Sequence, residues 1–482
     1  MPMILRSLKR ISVLLVILGC SFIKVQAQYN IKVQVKPYQN QYIYLGYHYG
    51  KVKALADSIK LDEQSTGTFK GNKLLPGGIY FIVSPNKEIL FELLLDKDQD
   101  FSVVAEKDKL PNGIKFTGSA ENTGFQAYGV MASRTGQAVQ EMQEKLKQGL
   151  NRDDSMALVK KTRTLNDLMQ LYRDSIAKAN PTSFLASLFN AMREPVVPKP
   201  TSEQQKDSLF GYHYFKSHYW DGVSFSDERL VRTPFFEMKL DKYFRDLVVP
   251  EPDSIIREVD NMLLQARTSP EMYQYLMVKF VQKYIQPEYM GQDAVFVHLF
   301  DKYINTGKAT FFTKQYRDFI DKRAYSLMAN LIGRPAADMD MVDSAGKRFN
   351  LYDVKADYTV VVFWDPTCGH CKEIIPKVDS IYKAKWKAQG VKIYAVKVDG
   401  PHNEWLKMIK EDHLNDWYHV YQLPSTTDAI NNAGRPGFRQ LYDVYQTPVI
   451  YLLDRDKRII AKKLGYLQLD DVLQLKIKNR NQ

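Results

Sequence analysis

Two cysteines three positions apart, Cys368 and Cys371, stand in the stretch FWDPTCGHCKEIIP at 363–376. A thiolate attacks a disulfide sulfur, and a second thiol nearby can displace it from the mixed disulfide that results. The spacing therefore fits a dithiol/disulfide couple. The same pair would supply half of a tetrahedral zinc site. No second Cys-x-x-Cys and no nearby histidine pair completes one. No metal and no organic cofactor is expected; the redox group is the Cys368–Cys371 pair itself.

The elements around the pair must expose one sulfur and shelter the other. TVVVFW at 359–364 is a continuous apolar run, as in a strand buried on both faces. A helical stretch comes next, from 368 to about 389. Cys368 thus falls at a helix N-terminus, where free backbone N–H groups and the macrodipole favour an anion and lower a thiol pKa. Cys371 lies about one turn further in. Cys368 is expected to attack, and Cys371, more buried, to resolve the mixed disulfide. Gly369 leaves Cys368 open to a partner. His370 places a positive charge beside the thiolate when protonated, which favours the dithiol side and a more oxidising disulfide. Asp365 pulls the other way if it points at Cys368. Pro376 is expected to kink the helix. Thr447-Pro448 precedes the apolar run VIYLLD, and a cis proline there could hold a backbone edge beside the cysteines, where an extended client adds as a strand.

Trp364, Cys368-Gly369-His370-Cys371, Lys372, Pro376 and Thr447-Pro448 together resemble the thioredoxin fold. FWDPTCGHCKEIIP with YDVYQTPVIYLLD resembles the TlpA-like thiol:disulfide oxidoreductases of the Gram-negative envelope. The stretch IGRPAADMDMVDSAGKRFNLYDVKADYTVVVFW resembles that family's opening hairpin, so the likeness covers roughly 331–482. The segments GSAENTGFQAY and WDGVSFSDERLVRTPFF resemble accessory regions found ahead of such domains. The resemblance implies that Cys368 is the nucleophile and Cys371 the resolving thiol, with Trp364, Thr447 and Pro448 facing the client. The chain departs from the pattern in three places. Val362 stands where thioredoxin has a buried acid, Glu373 is three residues before Pro376 rather than two, and His370 replaces the proline of many TlpA-like members. The Gly-His pair is that of protein disulfide isomerases.

The chain of 482 residues, 45% of them hydrophobic, is long enough for about three domains. The formal net charge is +12, and Arg6, Lys9, Arg10 and Lys24 supply four of these charges; the remaining +8 forms no basic stripe, which excludes a nucleic-acid partner. MPMILRSLKR, the apolar ISVLLVILGCSFI and the small residue Ala27 read as a signal peptide over 1–27. Ile17-Leu18-Gly19-Cys20 also loosely resembles a lipobox, which would anchor the protein to a membrane through lipidated Cys20. Either way the protein is expected in the periplasm or cell envelope. With Cys20 removed or lipidated, only the close pair remains free, and two cysteines do not staple an exported chain of this size.

Residues 28–119 show short apolar runs separated by turn residues (YNIKVQV, QYIYLGYHY, GIYFIVS, EILFELLLD, DFSVVAE, IKFTG) and predict an all-β sandwich. Residues 120–330 turn helical: Ser269-Pro270-Glu271 is a helix start, Asp253 caps an earlier one, and REPVVPKPT at 193–201 is a loop. Residues 331–482 alternate β-α-β-α, more helix, then β-β-α, the order of an α/β domain. The expected whole is multidomain: all-β sandwich, central all-α region, C-terminal α/β thioredoxin fold. Its expected function is thiol–disulfide exchange on exported proteins, as a reductase recharged by a membrane redox partner, since the chain holds no second dithiol. The alternatives are a disulfide oxidase or isomerase, and an envelope binding protein on a thioredoxin-like scaffold.

Overall fold

In the computed structural model, residues 28–147, 149 and 152–480 are described. The expected leader at 1–27, with Cys20, lies outside the described residues. The chain forms two compact units, one running to Leu247 with Thr268–Met272, the other comprising Val248–Arg267 and Tyr273–Gln482.

The first unit contains eight strands: β1 (Tyr29–Lys36), β2 (Tyr42–Tyr49), β3 (Val52–Lys60), β4 (Thr66–Gly71), β5 (Gly78–Val83), β6 (Ile89–Leu95), β7 (Asp100–Glu106) and β8 (Ile114–Thr117). They make two four-stranded sheets, ordered β4-β1-β7-β8 and β3-β2-β5-β6. Ile31, Val33, Phe69 and Phe101 of the first sheet share one buried cluster with Ile43, Leu45, Ile82 and Leu93 of the second. The apolar runs of the sequence do not announce β3 and β4, for a physical reason. Both are edge strands, β3 has no fully buried residue and β4 buries only Phe69, so neither carries a clear apolar run. Two long helices, Ala120–Lys147 and Arg152–Ala179, come after the sheets.

The helical stretch 120–330 is shared between the two units, the first running to Leu247. The later helices carry their own ties to the short helix Phe438–Leu441 and the residues just after it. On Lys314–Met328, Arg323 pairs with Asp443 and the Ser326 hydroxyl donates to the Gln440 carbonyl, and just beyond it the Asn330 amide donates to the Leu441 carbonyl at 3.0 Å. The helix Pro252–Ala266 buries Ile255, Val259, Met262 and Leu263 on one face. Its N-cap residue is Glu251, so Asp253 sits inside the first turn rather than at the cap. There it still complements the macrodipole. Ser269 caps Pro270–Tyr284 as expected, its Oγ accepting from Met272 N–H at 3.4 Å.

The second unit is built on a six-stranded sheet of β9 (Val342–Asp343), β10 (Tyr358–Trp364), β11 (Val391–Lys397), β12 (Tyr418–Tyr421), β13 (Val449–Leu453) and β14 (Ile459–Lys462), ordered β14-β13-β10-β11-β12-β9. β10, β11 and β12 are parallel; β9, β13 and β14 run antiparallel to their neighbours. Every residue of β10 is buried. Alternation sends Val360, Val362 and Trp364 into one core with the helix Gly369–Ile381 and the C-terminal helix Tyr466–Arg480. It sends Val361 and Phe363 into the other, with Met339, Leu351, Phe438 and Tyr442. Both faces being covered explains the unbroken TVVVFW run. The short strand β12 falls between expected helices, and its four residues YHVY are too few to announce it.

Candidate active site

β10 ends at Trp364, and its register beside β11 ends at the pair Trp364–Lys397. The chain then turns: Cys368 N–H donates to the Asp365 carbonyl at 3.2 Å. The Asp365 carboxylate accepts from the N–H and hydroxyl of Thr367, both at 2.7 Å. Asp365 is therefore spent on closing this turn rather than on meeting Cys368. Gly400 lies against it at φ 82°, and a Cβ there would stand 2.7 Å from Asp365 Oδ1, so both backbone and space require glycine.

Cys368 is the N-cap residue of Gly369–Ile381, with extended φ and ψ of −72° and 125°. Both thiols are free; Cys368 is half-buried and Cys371 buried. Cys368 Sγ donates to the Thr447 carbonyl at 3.4 Å. Cys371 Sγ accepts from Asp365 N–H at 3.4 Å. The Thr447–Pro448 bond is cis, and both residues are half-buried. The backbone edge expected from the TP pair is thus in contact with the nucleophile.

The electrostatics divide the two sulfurs. The Thr447 side chain is the foremost group holding the Cys368 thiol below its ordinary value, helped by the backbone N–H groups of Cys371 and His370 and opposed by partial burial. The N–H groups are those a helix start leaves unpaired. Burial pushes the Cys371 thiol up to about 11, reinforced by the neighbouring Cys368 sulfur. One thiol is thus primed as thiolate and the other kept as thiol.

The remaining residues singled out by the sequence are spread around the pair. Gly369 is exposed, and a Cβ there would meet nothing within 4 Å, so the space beside Cys368 is open. The His370 ring is exposed. Glu373 is turned to Lys377 at 2.7 Å on the helix surface, and that partner holds its carboxyl below the usual range. Pro376 lies inside the helix, where it removes one backbone donor. Trp364 is a correction: it is 0% exposed and so cannot touch a client. It belongs to the buried cluster that holds Cys371, its ring edge-on to His419 at 6.2 Å between centroids.

Two contributions are not evident from the sequence. The TP pair places Thr447 in a client loop, but its side chain is also the chief group acting on the thiol; it is 79 residues from Cys368, and the only local signal is that dipeptide. Behind Trp364 sits His419, stacked on Trp417 at 5.9 Å and bound through Nε2 to the Leu414 carbonyl at 2.9 Å. Burial pushes this imidazole down to about 4, so it is neutral. Among the described residues, no three His, Cys, Asp or Glu side chains gather as a metal group.

A dithiol at the junction of a central strand and a helix, with the carbonyl of a cis Thr-Pro bond against its half-buried sulfur, defines a thioredoxin-fold redox module. Residues 332–463 match the AhpC/TSA family, and residues 159–320 match a domain of unknown function, DUF5106. The chain is 26% identical over 134 residues to the thiol-disulfide oxidoreductase ResA of Bacillus cereus, covering 28% of this chain and 70% of that one. It is 38% identical over 115 residues to ResA of Bacillus subtilis, covering 21% and 63%. Among solved structures it is similar to a domain of a possible thiol-disulfide isomerase from Cytophaga hutchinsonii, at 37% identity, 31% of this chain, 96% of that one and a TM-score of 0.27. The chain is a thiol-disulfide oxidoreductase, and its C-terminal part is similar to the AhpC/TSA family and to the ResA enzymes.

Proposed function

We propose that the protein reduces disulfides of exported proteins in the cell envelope through Cys368 and Cys371. The observation that carries this is the opposed environment of the two sulfurs, with Cys368 lowered and half-exposed and Cys371 buried near 11. The Cys368 thiolate attacks a client disulfide, forming an S–S bond to one client sulfur while the other leaves as thiolate. Cys371 passes its proton to that departing thiolate or to water and attacks Cys368. The client leaves as a dithiol, and two electrons have moved to it from the Cys368–Cys371 pair, which becomes the disulfide. A membrane dithiol partner then returns two electrons.

The reducing direction is drawn from the TlpA-like resemblance, because any group that holds the Cys368 thiol low favours the dithiol and a more oxidising disulfide. A protonated His370 beside the thiolate would argue for an oxidase or isomerase. Export through residues 1–27, with lipidation of Cys20 as the anchored variant, supplies the compartment. The two-sheet region, read as a sandwich, and the helices are assigned to placing the module and holding clients.

Cys368→Ser should abolish reduction of a model protein disulfide, and Cys371→Ser should accumulate mixed disulfides with clients. Full activity of the Cys368→Ser protein would remove this reading.

A further inference from the structure

A cleft of about 990 Å³ opens within the second unit beside the reactive pair. That is the upper end of the range for small-ligand sites, roughly 300–1,000 Å³. Its wall includes Pro448, next to Thr447, and Ile374, three residues beyond Cys371 on the same helix. The cleft is therefore bounded by a residue directly next to Thr447, whose carbonyl meets the Cys368 sulfur. The opposite wall comes from the segment 286–291 and from the helix Lys314–Met328. The segment 286–291 and Phe319 fall inside the stretch matched by the domain of unknown function, and Arg323 and Leu327 lie just beyond it.

The lining exposes several large apolar side chains, its cations are already paired, and the charge it leaves exposed, Glu288, is negative. Tyr289 is 57% exposed, Met290 40%, Phe319 47% and Tyr445 75%. Four large apolar side chains left in solvent around one cavity mark a binding surface, whereas single ones would not. The charges behave differently. Arg323 and Lys463 both pair with Asp443, and Lys462 pairs with Asp293. Lys462 also donates to the Asn330 side chain at 2.7 Å. These cations are committed within the fold, so a small, highly charged disulfide such as glutathione disulfide finds little to hold it there.

We infer that this cleft is the client site of the module and takes an extended polypeptide segment carrying an aromatic or bulky apolar side chain a few residues from its disulfide cysteine. The inference rests on the exchange reading of Cys368 and adds a substrate class to it. The chemistry is that exchange: Cys368 bonds one client sulfur and the other departs as thiolate. Phe319, Tyr289 and Tyr445 set specificity and touch no reacting atom.

The test uses the full-length, pre-reduced protein in single-turnover reduction of two disulfide-closed peptides of equal length and charge. One carries Phe and Leu beside a cysteine, the other Ser and Gly; glutathione disulfide is the third probe. The apolar peptide should react at least about tenfold faster at low concentration, the discrimination one well-filled apolar pocket supplies. Phe319→Ser and, separately, Tyr289→Ser should raise its half-saturating concentration and leave its limiting rate alone, bringing the ratio toward one. Equal reduction of both peptides by the unmodified protein overturns the inference while the exchange reading stands. Failure to reduce any of the three probes overturns both. A change in self-association with an unchanged peptide ratio in the serine proteins would make the cleft a contact between copies and overturn it as well.

Discussion

β5 in the N-terminal region and β10 in the C-terminal sheet are buried almost alike, all but Val83 in the first and every residue in the second. They differ in the segment each one leads into. β5 runs into a tight turn in which Ser84 N–H donates to the Glu88 carbonyl at 2.8 Å and Lys87 N–H to the Ser84 carbonyl at 3.0 Å. Its backbone donors are used up by the next strand of the hairpin. β10 runs into a helix, whose first N–H groups have no helical acceptor, and those of His370 and Cys371 fall on the Cys368 sulfur. Burial makes both strands firm. Reactivity comes from the junction, where a firm strand delivers a thiol to unpaired donors.

Removing the nucleophile is the largest break in this comparison. Cys368→Ser should cost at least about a thousandfold in disulfide reduction, on the scale of losing a catalytic nucleophile, and the loss should be seen in a turbidity or fluorescence assay on a protein disulfide. The firmness of the two regions is compared next. Trp364→Ala and Phe69→Ala each empty a fully buried site and should each cost about 3–5 kcal/mol in denaturant unfolding. At concentrations where both remain folded, Trp364→Ala should also slow exchange, because Trp364 shares a buried cluster with Cys371, while Phe69→Ala should leave the rate unchanged. Equal slowing in both would show that burial, not the junction, sets reactivity.

Smaller shifts probe the sulfurs themselves. Thr447→Val removes the foremost group that lowers the Cys368 thiol, so the midpoint of its alkylation by iodoacetamide should move to higher pH. His370→Gln should move that midpoint less. The smallest effect is on stability. Cys371 titrates in the fold near 11, against an ordinary value of 9.0. Its raised value stabilises the folded dithiol form below pH 9, and that contribution is lost as pH climbs from 9 toward 11. Urea midpoints of the reduced protein measured across this window should fall more than those of Cys371→Ala.

The cysteine pair, the strand before it and the helix after it are legible because their signals are local: an apolar run, a Cys-x-x-Cys, a proline eight residues past the first cysteine. The Thr447–Pro448 edge is legible through its dipeptide. What the sequence hides depends on distance. Trp364 reads as a site residue from its position and is a core residue because β10 is covered on both faces. His419 gives no local sign of lying behind it. β3 and β4 hide because edge strands leave half their side chains in water. The division of the helical stretch at Leu247 reflects ties such as Arg323–Asp443, 120 residues apart, which no window of sequence contains.

The central proposal is that Cys368–Cys371 works as a reducing couple, and its reduction potential against a glutathione buffer tests this most directly. A value near that of thioredoxin, about −270 mV, is the result expected of a reductase. A value at or above that of protein disulfide isomerase, about −180 mV, would contradict it and make the protein a donor of disulfides.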